Sequence, residues 1–514
     1  MKTMRKALAL VLALSMILAL SVTAAFAANT TAHTITITNT QENHTYTAYQ
    51  VFAGDIQNLD GKDVLTNITW GTGVNSTQLL NALKANAAYA NCNTAEDVAN
   101  VLKGFVDDSA ELDAFAKLVG ENLAAEAGHS TETKSPYTIK VNGDGYYFVK
   151  DTGTVGDNDA ATKYILEVIK DSTIAAKAEV PEIDKVIVDA DSGNGKGTAQ
   201  DVGSSVKFQL NSKVPAMDGY TSYTYVVHDT LSAGLTFNND VKVTIGGTEY
   251  TDFKVAQDGQ SFTITFNNFI NQKANAGKDI VITYSATINE KALTTNVETN
   301  TVHLEYSNNP NDDSSKGQTP DKVVYVYDFD IVIDKYTGNE ADGTRLADAM
   351  FVLKNSDGKY YHWNETENKV EWVTVAQEPD TINKSATEIN AAWEALGVTV
   401  IVTDAQGAAR FTGLDTGKYS LKEVAAPAGY NLLKNEVSVE ITATYNEDGT
   451  IATSSATSVG NGQYSQVSKI ENNAGTQLPS TGGIGTTIFY VLGALLVVFA
   501  GVMLVTKKRM SKEG

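Results

Sequence analysis

One short run stands out as a segment other molecules could work on: Leu478-Pro479-Ser480-Thr481-Gly482. Pro479 fixes a bend in an otherwise flexible, exposed linker, so an extended peptide can enter a groove. The other chemistry-bearing residue types form weaker patterns. Asp189-Ala190-Asp191-Ser192-Gly193-Asn194-Gly195 superficially resembles a calcium loop, but its glycines and missing terminal Glu do not fit one. Gly193-Asn194-Gly195-Lys196-Gly197-Thr198 has the wrong spacing for a phosphate-binding loop and no strand-helix context. The six histidines are scattered and suggest no zinc site, so no metal and no cofactor is expected. There is one cysteine, Cys92, which excludes an intrachain disulfide and reads as a small packed residue. No motif for a paired-carboxylate or Ser/His cleft is found, so a hydrolase is not indicated.

The elements around the Leu478–Gly482 run give it meaning. Residues 1–27 read as a secretory signal, with Lys2, Arg5 and Lys6 ahead of an apolar run and a small-x-small pattern at Ala25-Phe26-Ala27. Residues 484–505 carry no charge and are long enough to cross a bilayer as a helix. The basic tail, 506–514, holds that end in the cytoplasm through Lys507, Lys508 and Arg509. The net charge of −22 understates the acidity of the exposed portion, because both terminal segments are basic. Such a surface argues against nucleic acid as a partner.

A chain of 514 residues is too long for one core. Composition shifts near residue 178 and near residues 308–322 divide it into 28–178, 179–326 and 327–477. The first part opens with Thr34-Ile35-Thr36-Ile37-Thr38, a half-buried strand by its alternation. A helical insert follows, where Thr94 and Asp97 form an acidic variant of a capping box ahead of Val98, Val101, Leu102 and Phe105. The second part alternates through Val206–Leu210, Tyr223–His228, Val241–Ile245, Phe262–Phe266, Ile280–Ile288 and Thr301–Tyr306, a density of short strands that indicates a sandwich. The third begins at Phe329–Lys335, carries a helical patch from Ala386 to Leu396, and ends on a strand at Tyr464–Ile470. The expected class is all-β: tandem immunoglobulin-like sandwiches, the first with helical insertions.

Two motifs carry a family resemblance. Leu478–Gly482, followed by an apolar span and a basic tail, resembles the LPxTG sorting signal of sortase transpeptidases. The resemblance implies cleavage between Thr481 and Gly482, the Thr481 carbonyl passing through a thioester on the sortase to an amine. Tyr419-Ser420-Leu421-Lys422-Glu423-Val424-Ala425-Ala426-Pro427-Ala428-Gly429-Tyr430 resembles the E-box of sortase-assembled pilins with Cna-type domains, with Val424 in place of the usual Thr. In that family a Glu promotes an amide bond between a first-strand Lys and a last-strand Asn. Carried over, these are Glu423, Lys335 and Asn472; Asn473 is adjacent, but alternation allows only one of the two to face the core. Val180–Lys185, His228–Leu235 and Asn300–Tyr306 resemble an Asp-using relative, implying Lys185, Asp229 and Asn300 in the same roles. The opening strand of the first part offers no comparable Lys, so no bond is expected there.

These residue types suit the chemistry. Burial lowers a lysine pKa and frees its lone pair, while it keeps a carboxyl protonated and able to donate. On residue types alone, a buried Lys–Glu ion pair with the Asn at the surface is the commoner arrangement, and Asp229 could merely cap its turn. It is the motifs that point to bonds. Each would close a loop of over a hundred residues, about 4–5 kcal/mol on the loop-entropy estimate.

The family also needs an amine to accept Thr481 of another copy. Ile174-Ala175-Ala176-Lys177 keeps the spacing of the family's acceptor pattern but not its Tyr-Pro. Lys177 is therefore the expected acceptor, with Lys170 and Lys185 as competitors and an ordinary linker lysine as the plain alternative. The whole reads as a backbone pilin. It would be a wall-anchored structural subunit and sortase substrate, not an enzyme, polymerised with copies of itself and joined to peptidoglycan at the base. The alternative is a monomeric wall-anchored adhesin or accessory pilin that binds a host or matrix ligand and needs no acceptor lysine.

Overall fold

The computed structural model describes residues 31–59, 62–106, 109–161, 165–176, 179–294, 297–460, 463–475 and 484–510. Strands dominate, and they pair into three sets of facing sheets in chain order.

In the first set, strand Ala32–Thr38 sits between an antiparallel neighbour, Tyr137–Asn142, and a parallel one, Ser172–Ala175. Its alternation sends Ile35 and Ile37 inward against Tyr46, Tyr137, Ile139 and Tyr147. The facing sheet runs Lys62–Trp70, Tyr46–Leu59, Gly145–Asp151, Ile165–Ile169. Helices Ser76–Leu83, Ala95–Leu102 and Ala110–Glu121 form a second core with that sheet, where Leu79, Val98, Phe115 and Val119 meet Phe52 and Phe148. The capping box is present in full: Asp97 N–H donates to Thr94 Oγ1 at 3.1 Å, and Thr94 N–H to Asp97 Oδ2 at 2.9 Å. Cys92 is buried in this core.

The second set pairs Ile183–Ile187, Ser205–Lys213, Asp279–Ile288, Lys242–Ile245 and Thr248–Tyr250 in one sheet. The other is Gly197–Ala199, Lys322–Tyr327, Glu298–Ser307, Tyr225–Leu231, Ser261–Phe266 and Phe253–Asp258. In the third set, Phe329–Thr337 lies parallel to Gln463–Glu471, with Ala408–Leu414 on its other side. The facing sheet is Lys369–Val373, Tyr360–Asn364, Met350–Asn355, Gly417–Ala425, Val437–Ile441. The patch expected to be helical forms Ala386–Glu394, capped by Ser385 and Glu388.

The second and third cores are continuous. One apolar cluster runs from Ile183 to Ile470, and Val202, fully buried, crosses between them. Val202 N–H donates to Gly413 O and its carbonyl accepts from Val370 N–H, both at 2.9 Å. Gly413 sits at φ 72°, and a Cβ there would lie 2.9 Å from Val202 Cγ2, so glycine is required by conformation and by space. Asp201 accepts from Trp372 Nε1 at 2.7 Å and from Asp415 N–H at 2.8 Å, which adds polar ties at the same seam.

The uncharged segment near the C-terminus forms helix Ile484–Met510, a few residues longer than the expected span and running through Lys507-Lys508-Arg509. Its apolar window, Tyr490–Lys507, has a mean hydropathy of 2.1.

Candidate functional site

Among the buried polar residues of the second and third sandwiches, two sets each gather one lysine, one acid and one asparagine. In the second sandwich, Lys185 comes from strand Ile183–Ile187, and Asp229 and Asn300 from adjacent strands of the opposite sheet. Leu231 is the register partner of Asn300, so Asp229, two residues earlier, points to the same face. All three side chains are within 1% of full burial. Lys185 Nζ donates to Asp229 Oδ2 at 2.7 Å and to Asn300 Oδ1. Asp229 lies within its strand and accepts from the opposite sheet, so it is not a turn cap.

Sequence reasoning missed a fourth member, Tyr284. It shares a sheet with Lys185, and its hydroxyl donates to Asp229 Oδ2 at 2.7 Å while accepting from Asn300 Nδ2 at 2.8 Å. Its ring and that of Phe208 flank Lys185 Nζ at 5.6 and 5.7 Å. The signal was faint: one phenol among inward positions filled by Ile280, Ile282, Ala286 and Ile288, and a buried phenol needs a partner.

In the third sandwich the first and last strands are neighbours. Lys335 lies opposite Ile470 across a parallel pair, and the chain continues to Asn472. Lys335 Nζ donates to Asn472 Oδ1 and, at 3.2 Å, to Ile470 O. Glu423 reaches in from the facing sheet. Its Oε1 lies 3.6 Å from Lys335 Nζ and accepts from Asn472 Nδ2 at 2.9 Å, while Oε2 accepts from Leu433 N–H at 2.9 Å. Asn472 is 1% exposed and Asn473 points outward, so the structure brings Asn472, not its neighbour, to the lysine. The end of the Tyr419–Tyr430 motif buttresses this exit: Tyr430 bridges Ala474, and Gly475 N–H donates to Gly429 O at 2.9 Å. Gly407, at φ 72°, packs against the lysine's own backbone, where a Cβ would meet Lys335 O at 2.3 Å.

Burial sets the electrostatics. It pushes Lys185 down to about 8 against the opposing pull of Asp229, and it pushes Asp229 up. It likewise pushes Lys335 down to about 8 against Glu423, and Glu423 up. Both shifts favour the neutral pair, an amine with a free lone pair beside a protonated carboxyl. Each amine rests against a carboxamide with an acid beside it, an arrangement whose residue types suit attack of the amine on the carboxamide.

The remaining expected residues are distributed differently. Lys177 and the run Leu478–Gly482, including Pro479, Ser480 and Thr481, lie outside the described residues. Lys177 follows strand Ser172–Ala175, whose continuation is tied by Ala176 N–H to Thr38 O at 2.7 Å. Of its competitors, Lys185 is sealed in the core, whereas Lys170 is 67% exposed beside Asp63. The first sandwich buries His44 between Asp151 at 2.7 Å and Asp159 at 3.1 Å.

Comparison with known proteins places these sites in a context. Residues 202–310 match the family described as Gram-positive pilin backbone subunit 2, Cna-B-like domain; 331–457 match the prealbumin-like fold domain; 470–512 match the LPXTG cell wall anchor motif. The chain is 27% identical over 398 residues to a fimbrial subunit type 2 of Actinomyces naeslundii, covering 71% of this chain and 70% of that protein. It is 24% identical over 571 residues to the trypsin-resistant surface T6 protein of Streptococcus pyogenes serotype M6, covering 92% and 94%. Among solved structures, the T6 backbone pilin of that serotype superposes with a TM-score of 0.54 at 17% identity, over 87% of this chain and 99% of that one, a likeness of fold.

Proposed function

We propose that this chain is a backbone pilin of Gram-positive bacteria and that each copy is a covalently braced link in a sortase-built polymer. It is a structural subunit held at the cell wall through its LPXTG anchor, with the apolar helix as a transient membrane anchor. In the proposed reading the exported chain comprises three pilin domains, 28–178, 179–326 and 327–477. Sortase cleaves between Thr481 and Gly482 and passes the Thr481 carbonyl to Lys177 of the next copy, with peptidoglycan as acceptor only at the base.

Within each copy, Lys185 joins Asn300 with Asp229 as the acid, and Lys335 joins Asn472 with Glu423 as the acid. Nζ attacks the side-chain carbonyl carbon, the carbon–Nδ2 bond breaks, and ammonia leaves with the proton that Nζ gives up. The acid returns to its starting state, so each bond forms once and no external co-reactant is consumed. The observation that carries this reading is a fully buried lysine against a carboxamide, twice, each with an acid whose pKa burial raises. A permanent ion pair in either place would leave charge in an apolar core, whereas an amide leaves none.

The test is mass spectrometry of the whole chain, denatured and then digested. The expected mass is two ammonias below that of the sequence, with branched peptides joining Lys185 to Asn300 and Lys335 to Asn472. An unshifted mass with only linear peptides overturns the internal bonds.

A further inference from the structure

We propose that the Tyr284 hydroxyl is the proton relay that lets a short acid, Asp229, serve the Lys185–Asn300 reaction. The inference rests on the reading that this pair joins, and it adds a participant to it. The two buried sets differ in how the acid meets the asparagine. In the third sandwich Glu423 contacts the departing nitrogen directly, its Oε1 lying 2.9 Å from Asn472 Nδ2. In the second, the acid is one methylene shorter, and among the described residues no hydrogen bond joins Asp229 to Asn300. The Tyr284 oxygen fills that gap, 2.7 Å from Asp229 Oδ2 and 2.8 Å from Asn300 Nδ2. The Asp229 oxygen nearest Tyr284 is also the one facing Lys185 Nζ, at 2.7 Å, so amine, acid, phenol and leaving nitrogen form one unbroken chain. Asp229 Oδ1 has no partner among the described residues, so the chain runs through Oδ2 alone.

The steps balance. With Lys185 neutral and Asp229 protonated, Nζ bonds to the Asn300 carbonyl carbon and becomes positively charged, while the carbonyl oxygen becomes negative. Tyr284 turns its hydroxyl toward Nδ2 and donates its proton, taking the Asp229 proton in exchange. The carbon–Nδ2 bond breaks, the carbonyl re-forms and ammonia departs. Asp229 then takes a proton from Nζ, which leaves a neutral amide and restores both Asp229 and Tyr284. Tyr284 thus carries a proton between groups that cannot touch, a job the longer Glu423 performs without help.

The experiment is cell-free synthesis of the full chain with timed acid quenching and quantitation of both branched peptides. The Lys335–Asn472 peptide is the internal clock. Tyr284→Phe keeps the ring that packs on Phe208 and Phe262. It is expected to slow the Lys185–Asn300 peptide on the order of 10²-fold and to leave the Lys335–Asn472 peptide at its normal rate. Adding Asp229→Glu to Tyr284→Phe is expected to restore a large part of the rate, since a longer acid reaches Nδ2 itself. Loss of packing alone would not be rescued in this way. Should Tyr284→Phe fail to fold, incorporation of 3-fluorotyrosine, which changes phenol acidity with little change in volume, must alter only the Lys185–Asn300 rate. Joining at the normal rate in Tyr284→Phe, or an unchanged ratio of the two rates with 3-fluorotyrosine, overturns the relay. Absence of the Lys185–Asn300 peptide from the unsubstituted chain overturns the underlying bond instead.

Discussion

Lys335→Met isolates the mechanical worth of one internal bond. Methionine approximates the lysine stem in volume and carries no charge, so the core keeps its packing. Glu423 keeps Asn472 Nδ2 and Leu433 N–H as partners, and its burial, which pushes its carboxyl up, is unchanged. What is lost is the proposed crosslink between residues 137 positions apart. On the chain-entropy model a loop of that length is worth about 5 kcal/mol. A domain of about 150 residues shifts its midpoint roughly 3 °C per kcal/mol, so calorimetry of the whole chain is expected to show the third sandwich unfolding some 15 °C or more below the unsubstituted protein. Digestion is expected to show the Lys335–Asn472 branched peptide missing and the Lys185–Asn300 one intact. A midpoint within about 5 °C of the original despite loss of the branched peptide refutes the claim that the bond braces the fold.

Further expectations concern the joint and the first sandwich. In a host carrying the cognate sortase, Lys177→Ala is expected to collapse the ladder of boiling-resistant high-mass species to monomer and wall-linked forms; an undiminished ladder on denaturing gels removes Lys177 from the acceptor role. The first sandwich should be sensitive to alkali. Burial opposes the His44 charge, but the hydrogen bonds it donates to Asp151 and Asp159 outweigh it and hold the imidazolium up to about 9. A raised pKa means that the clamp's contribution is fully present below about 6.5 and is lost as pH rises through about 9. The Asp159 loop also meets the second sandwich, through Tyr306 OH on Asp159 O at 3.0 Å and Ala161 N–H on Asn308 O at 2.7 Å. Limited proteolysis between pH 7 and 10 is therefore expected to open this junction near pH 9 in the native chain, whereas His44→Gln removes the pH step; a native cleavage rate that does not change across that range rejects the clamp.

Much of the fold was legible because strands are short-range objects. Alternation in Thr34–Thr38 and in Phe329–Lys335 marks the inward face directly, and Thr94 with Asp97 announces a helix start within four residues. The acid–lysine–asparagine sets were nominated by motif, since nothing in the local pattern connects Lys185 to a residue 115 positions away. The helical insert was harder to read, because its apolar residues pack on the long strand Tyr46–Leu59, which escaped the periodicity reading where its alternation breaks at the irregularity between Gln50 and Phe52.

The sequence by itself determined the wall-anchor signal at the C-terminal end, the β-rich class and the residue types of the buried sets, because each is written in contiguous residues. Tertiary structure decided the rest. Period-two alternation says which side chains share a face, but not which strand will lie opposite. Only the packed sheets bring Lys185 and Tyr284 from one layer to Asp229 and Asn300 in the other. They also turn Asn472 rather than Asn473 inward, and they fuse the second and third cores through Val202. Those choices depend on burial, which strips water from an amine and a carboxyl and favours the neutral pair over the ordinary ion pair. Burial belongs to the assembled layers, not to any stretch of chain.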